Sequence, residues 1–297
     1  MTKKRKRLTG GRQNLMGYVF LLPLILIFVV LLGYSFYFLF TTSFQKVTIS
    51  FKNSEFVGFE NYLIIIKDGT FWKSLLNTFI LSASSVFCGL TLGFFIAIIL
   101  NFKLRAKKFF HSLFFIPSML PIALMAAVFG SMLEYRDGTL NVLLRAAGLD
   151  FLAMRWLADS NLAMWAVCSV SVYLIGIPIM YYTADLTTIN TSVLEAATID
   201  GANMRQQLML VVYPMLKNTH RTIILSLLLG GFREMERVFL MTDGGPGNAT
   251  QIVGTYIFRS SRSAGSNIGL VCAAAVLVLF VAFVIALVQM KLTAKNN

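Results

Sequence analysis

Apolar residues do not alternate with polar ones along this chain; they come in blocks. Five stretches hold no charged residue: 13–45, 74–102, 109–133, 160–184 and 263–290. At about 1.5 Å per helical residue, each can cross a hydrocarbon layer of about 30 Å. A sixth block is interrupted. Residues 222–232 are apolar, "REMER" at 233–237 intervenes, and "VFLMT" follows. The pattern predicts an all-α polytopic membrane protein with six transmembrane helices, at about 17–40, 75–100, 109–133, 161–183, 221–241 and 266–290. Residues 1–16 and 291–297 are left as tails. Composition supports this: 57% of residues are hydrophobic and only 13% charged, against about 25% in soluble domains. Five such blocks leave too little polar surface for a soluble core.

The charges then set the orientation. The tails and even-numbered connections carry fifteen basic groups: Lys3, Lys4, Arg5, Lys6, Arg7, Arg12, Lys103, Arg105, Lys107, Lys108, Arg205, Lys217, Arg221, Lys291 and Lys295. Three acids, Asp185, Glu195 and Asp200, oppose them. The alternate connections hold nine basic groups against eight acidic ones. Positive charge marks the cytoplasmic side, so both termini are expected there. The net charge of +13 reads as a topology signal, and "KKRKR" as a membrane flank rather than a nucleic-acid site. A first apolar run longer than a signal peptide's core, with no A-x-A-like site after it, is expected to stay as a helix.

Little on the chain suggests covalent chemistry. Cys88, Cys168 and Cys272 fall inside apolar blocks and read as packing residues. His111 and His220, near helix ends beside basic residues, read as solvated and interfacial. No G-x-x-x-x-G-K-[ST] phosphate loop, metal-ligand cluster or paired carboxylate is visible. No cofactor is expected on this chain, and it is expected not to be an enzyme.

"EAATIDGA", residues 195–202, is anomalous in so apolar a chain. It lies in the connection 185–220, cytoplasmic on the charge count. "SVLE" at 192–195 fits a capping box, with Ser192 as N-cap and Glu195 at N3. Gly201 is placed to end the short helix in a left-handed cap. A second helix is expected from about Asn203 until Pro214 disturbs it. The pair forms either a compact knob, its alanines allowing close approach by another surface, or a plain solvated connection.

"EAATIDGANMRQQLMLVVYPML" resembles the cytoplasmic signature of bacterial ABC importer permeases: E-A-A, then D-G-A, then a distal Y-P. "VFLMTDGGPGNATQIVGTYIF" at 238–258 is similar to the L-T-x-G-G-P segment of carbohydrate-uptake permeases of the maltose-transporter type. "HSLFFIPSMLPIALMAAVFG" at 111–130 resembles the double-proline third span of that group. The resemblance runs from about residue 15 to 290; Tyr213 stands where the family more often has Leu. It implies a type I importer permease in the bacterial cytoplasmic membrane, surrounded by lipid. Its partners would be a second permease subunit, two ATPase subunits that bind ATP and Mg, and an extracytoplasmic solute-binding protein. The cargo would be a sugar, with no nucleic acid involved. Glu195, Ala196, Ala197, Asp200, Gly201 and Ala202 would form the coupling helix that docks on an ATPase. An ion-coupled secondary transporter and a membrane-embedded lipid-modifying enzyme are the alternatives.

Two further expectations concern the remaining polar segments. The outer connections 41–73 and 134–159 are candidate surfaces for the binding protein, with "DGTFW" and "YRDG" read as turns. Pro23, Pro117, Pro121 and Pro178 are expected to bend their spans. The "REMER" cluster is expected deep in the bilayer, where ionisable groups face a cavity or each other. Spacing allows Arg233 to meet Glu236 and Glu234 to meet Arg237. These four are the translocation-path candidates, and Gly230 and Gly231 are expected to loosen the helix before them.

Overall fold

A computed structural model describes residues 10–48, 54–101, 107–263 and 265–294. Lys3–Arg7, Lys52, Asn53, Lys103, Arg105 and Lys295 lie outside the described residues. In chain order the helices are α1 (Gly10–Ser43), α2 (Glu60–Lys67), α3 (Gly69–Cys88), α4 (Phe94–Asn101), α5 (Lys107–Met119), α6 (Ile122–Met132), α7 (Thr139–Ala146), α8 (Ala163–Ser169) and α9 (Gly176–Leu186). They continue as α10 (Thr191–Ile199), α11 (Met204–Gln206), α12 (Tyr213–Met215), α13 (Lys217–Arg233), α14 (Glu236–Thr242), α15 (Val253–Arg262) and α16 (Ile268–Ala294). The chain divides into two compact units: residues 1–65 with 264–276, and residues 66–263 with 277–297.

In the first unit, α1 is apolar on every side and exposed along residues 18–38, as a lipid-facing helix must be. Its end is tied down by polar side chains. Asn61 Nδ2 donates to the carbonyls of Ser43 and Gln45, each at 2.9 Å. Asn61 Oδ1 accepts from Asn267 Nδ2 at 2.9 Å, and Asn267 Oδ1 accepts from the N–H of Val47 and Gly269. Two asparagines thus satisfy backbone groups that a membrane-boundary turn would otherwise leave bare. β1 (Gln45–Lys46) and β2 (Glu55–Phe56) pair antiparallel.

The second unit has two apolar cores. One gathers Leu81, Ala126, Val167, Val170, Val238 and Ile252; the other gathers Phe94, Ala97, Leu100, Ile179, Tyr182 and Ile223. Its helices are rarely regular, and the irregularities have chemical causes. Residues 69–101 run as one helical stretch with a π-turn at Gly89–Gly93. Pro178 seats there, since a Cβ on Gly93 would lie 2.9 Å from its Cβ. Pro178 also lacks the N–H that would bond to Leu174, four residues back. Leu174 accordingly leaves helical geometry, at φ −87° and ψ 17°, beside the 3₁₀ stretch Val170–Ile175.

The structure corrects several expectations. Among the described residues, four helices, Gly17–Ser43, Gly69–Asn101, Ala163–Leu186 and Ile268–Lys291, are each long and apolar enough to cross a membrane. The third block does not form one rod: Phe109–Met119 and Ile122–Met132 meet at 96°. Pro121 is extended at ψ 135°, and a residue preceding proline, here Leu120, is itself driven out of helix geometry. The fifth block is also broken. Glu234 is extended (φ −71°, ψ 135°) and Met235 non-helical (φ −145°, ψ −48°), separating α13 from α14. The paired glycines do not cause that break, because both lie within α13. Gly231 instead permits a close crossing with α3, where an added Cβ would collide with the Ser82 hydroxyl. "DGTFW" is a helix start rather than a turn, with Asp68 Oδ1 accepting from Thr70 N–H at 2.8 Å.

Candidate functional site

Loop 185–220 is anchored at both ends. Asp185, in the last turn of α9, accepts a hydrogen bond from the Thr219 hydroxyl of α13. One turn before, Tyr182 OH meets His220 Nδ1 at 2.7 Å, and His220 Nε2 meets the Tyr213 carbonyl at 3.0 Å. A carbonyl can only accept, so Nε2 carries the proton and Nδ1 accepts from Tyr182. The imidazole packs against the rings of Tyr182, Tyr213 and Phe94. His220 is therefore a half-buried brace and not the solvated residue expected from its basic neighbours.

Between these anchors the chain forms two helices joined at a sharp corner. The first, α10, is capped by Asn190 Oδ1, which accepts from Ser192 N–H at 3.1 Å. The expected Ser192 cap is corrected: Asn190 wins because it adopts the extended cap geometry (ψ 125°), leaving Ser192 already helical. Glu195 accordingly falls beyond the first turn, which holds no acid. The corner itself forms as expected. Gly201 has φ +81°, its N–H bonds to Thr198 O at 3.0 Å, and Ala202 N–H reaches Ala197 O at 2.9 Å. This pair of bonds closes the helix end through a left-handed residue.

The capping box expected on α10 occurs on the second helix instead. Asn203 Oδ1 accepts from Gln206 N–H, and Gln206 Oε1 accepts from Asn203 N–H. Helical geometry then continues through a π-turn at Gln207–Val212 to Met215. Pro214 cannot donate to Leu210, which accounts for the wide turn there. Gln207 Nε2 donates to Thr198 Oγ1 at 3.0 Å and to Ala202 O at 2.9 Å. One side chain thus locks the two arms of the corner together.

Leu194 and Leu208 pack the inner side of the corner onto the second apolar core. Glu195, Ala196, Asp200 and Gly201 are exposed, Ala197 and Ala202 half-buried. Ile199 is 86% exposed. The outer surface therefore offers small side chains, two carboxylates and the uncovered apolar residues Ile199 and Met204, a surface able to receive a partner.

The "REMER" cluster is divided in two. Arg237 is 2% exposed. Its Nη2 meets Glu234 Oε2 at 3.3 Å, and its Nη1 donates to Ser171 Oγ at 3.1 Å. Ser171 Oγ lies 2.9 Å from Ser85 Oγ and 3.3 Å from Ser84 Oγ. One hydroxyl and one carboxylate thus contact a buried guanidinium, with Ser84 and Ser85 bonded in turn to that hydroxyl, and Nε has no partner. The other expected pair does not form. Arg233 and Glu236 are exposed, because the break at Glu234 and Met235 takes them off a common helix face. Gly254 lets this break sit against α15, as a Cβ there would strike the Glu234 carbonyl. Neither the break nor the serine cluster had a signal in the local sequence, since both depend on residues distant along the chain.

The family described as "Binding-protein-dependent transport system inner membrane component" matches residues 89–294. The multiple sugar-binding transport system permease protein MsmF of Streptococcus mutans is 31% identical, covering 85% of this chain and 86% of its own. The arabinooligosaccharides transport system permease protein AraP of Halalkalibacterium halodurans is 30% identical, covering 98% and 92%. In a crystal structure of a bacterial ABC transporter involved in import of the acidic polysaccharide alginate, one chain aligns with a TM-score of 0.80. Its identity is 22%, with 96% of each chain covered; at that identity the likeness is one of fold.

Proposed function

The chain belongs to the family of binding-protein-dependent transport system inner membrane components, and on that premise we propose that it is the permease subunit of an ATP-driven importer carrying a sugar, in particular an oligosaccharide. The names of MsmF and AraP support the cargo class. In this reading the chain works beside a second permease, two ATPase subunits that bind ATP and Mg, and an extracytoplasmic solute-binding protein. Six crossings are completed by the bent third block and the broken fifth, with both termini cytoplasmic. Family membership favours this over an ion-coupled carrier or a lipid-modifying enzyme.

The observation that carries the coupling role is the cornered helix pair 191–215. It is exposed on its outer side, rigidly capped at Gly201, and braced to α9 and α13 at its base. Glu195, Ala196, Ala197, Asp200, Gly201 and Ala202 then form the surface that an ATPase grips. Closure of the ATPase pair moves this surface and rocks the helices about a central path. Arg233 and Glu236, exposed beside a helix break, are the residues proposed to face that path. Glu234 and Arg237 hold the break in place. Purification of the solubilised assembly tests the reading: an ATPase and a second permease should accompany this chain, and a chain that purifies alone in active form overturns it.

A further inference from the structure

A cavity of about 330 Å³ lies where α6 ends and α8 begins, lined by Phe129, Met132, Leu133, Leu140, Trp156 and Trp165 among others. Its walls are almost wholly apolar, and Trp165 is 66% exposed, so one wall faces outward. Trp156 turns its indole N–H away from the cavity, to Asn141 Oδ1 at 2.8 Å. Asn141 Nδ2 in turn donates to the Tyr135 carbonyl at 3.1 Å, which also accepts from Arg145 Nη2 at 2.8 Å. Beside it, the guanidinium carbons of Arg145 and Arg155 lie 5.3 and 5.2 Å from the centre of the Tyr135 ring. Two cations thus gather over one ring, Arg145 linked to the cavity wall by that hydrogen-bond path and also donating through Nη1 to the Arg136 carbonyl at 2.7 Å. Neither pairs with a carboxylate among the described residues. The nearby Glu134 is engaged with Asp137 N–H at 2.6 Å, and Asp159 with Asn161 N–H at 2.7 Å.

We propose that this is a seat for an anionic phospholipid, with one acyl chain in the cavity and the phosphate against Arg155 and Arg145. Hydrocarbon suits the cavity, whereas sugar hydroxyls placed there would lose hydrogen bonds to water without replacement. Indole rings at the ends of membrane helices belong at the level of lipid headgroups. Guanidinium groups match phosphate in charge and geometry. The proposal rests on the membrane-spanning reading of the flanking helices and not on transport, so lipid binding can be measured apart from sugar uptake.

Native mass spectrometry of the delipidated full-length chain, alone and in its assembled complex, tests this. The probes are phosphatidylglycerol and phosphatidylcholine with identical acyl chains. Phosphatidylglycerol should bind tighter by about tenfold or more, given about fivefold for each cation near a phosphate. Arg155→Gln changes an exposed side chain and should cut the preference about fivefold. Trp165→Ala should weaken both lipids while leaving the ratio between them. Equal binding of the two lipids overturns the proposal, as does an Arg155→Gln variant with its preference intact. Phosphatidylglycerol bound by the isolated chain but excluded from the complex assigns the cavity to a partner subunit, and likewise overturns it.

Discussion

Arg237, in the first turn of α14, reaches back 3.3 Å to Glu234 in the break that separates α13 from α14. The pair is local in sequence, yet it holds two separate helices in a fixed relation. With Arg237 2% exposed, that carboxylate compensates its buried charge. Glu234→Gln should therefore destabilise the assembly by about 3–5 kcal/mol, the usual result of stripping a buried ion of its partner. Replacing both, as Glu234→Gln with Arg237→Met, should recover much of the loss. Thermal unfolding in detergent compares the two; a single variant as stable as wild type would show that the pair bears no structural load.

Arg233 and Glu236 should behave differently. Both are exposed, so Arg233→Gln and Glu236→Gln should shift melting by no more than about 0.5 kcal/mol. Uptake assays should show a raised KM or altered sugar preference. Unchanged uptake in both variants removes these residues from the path.

The adjacent glycines of α13 should part company. Gly230 has open space where a Cβ would go, so Gly230→Ala should be neutral or stabilising by about 0.5–1 kcal/mol from helix propensity. Gly231→Ala drives a methyl into Ser82 and should wedge α13 from α3. Yield and melting temperature read the contrast directly, and equal behaviour would mean that the crossing is loose.

Gly201→Leu should strain the corner by about 1–2 kcal/mol, since φ is +81° there. The expected outcome is normal membrane insertion with weakened ATPase association and impaired uptake. Gln207→Ala, which unlocks the two arms without touching the outer surface, should slow uptake while preserving association. Wild-type uptake in both variants would make the segment a plain connection.

Orientation is open to thiol labelling in intact cells. A cysteine introduced at the exposed Asp137 should react with an impermeant reagent, and one at Asn203 should not. Labelling at Asn203 from outside reverses the topology and detaches the coupling role with it.

Much of this architecture was legible because lipid imposes a simple rule: long apolar runs become helices. The Gly201 corner was legible because glycine is the residue a left-handed cap selects. The shape of the third and fifth blocks was not. Pro121 announced a bend but not one of 96°, which depends on what packs on either side. The break after Arg233 hangs on Gly254, twenty-one residues downstream. Of the two charge pairs that spacing allowed, only Glu234 with Arg237 formed, because the break at Glu234 and Met235 takes Arg233 and Glu236 apart, while Ser171, from another element, supports the buried guanidinium. Asn190 displaced Ser192 as a cap for a smaller reason: two good capping residues stood close together, and backbone geometry chose between them.

The lock that Gln207 places across the corner has a mechanical corollary. A lever whose joint is clamped cannot absorb displacement at the joint; force applied to its tip arrives undiminished at the far end of the arm. That end is Leu216, where the backbone leaves helical geometry (φ −86°, ψ 14°) before α13 begins. The next break along the same line is the gap at Glu234 and Met235, which the Arg237–Glu234 contact holds. A stroke of the ATPases would thus be dissipated at neither the tip nor the elbow. On the proposed coupling, it would reach α13 as one rod running from Lys217 to Arg233.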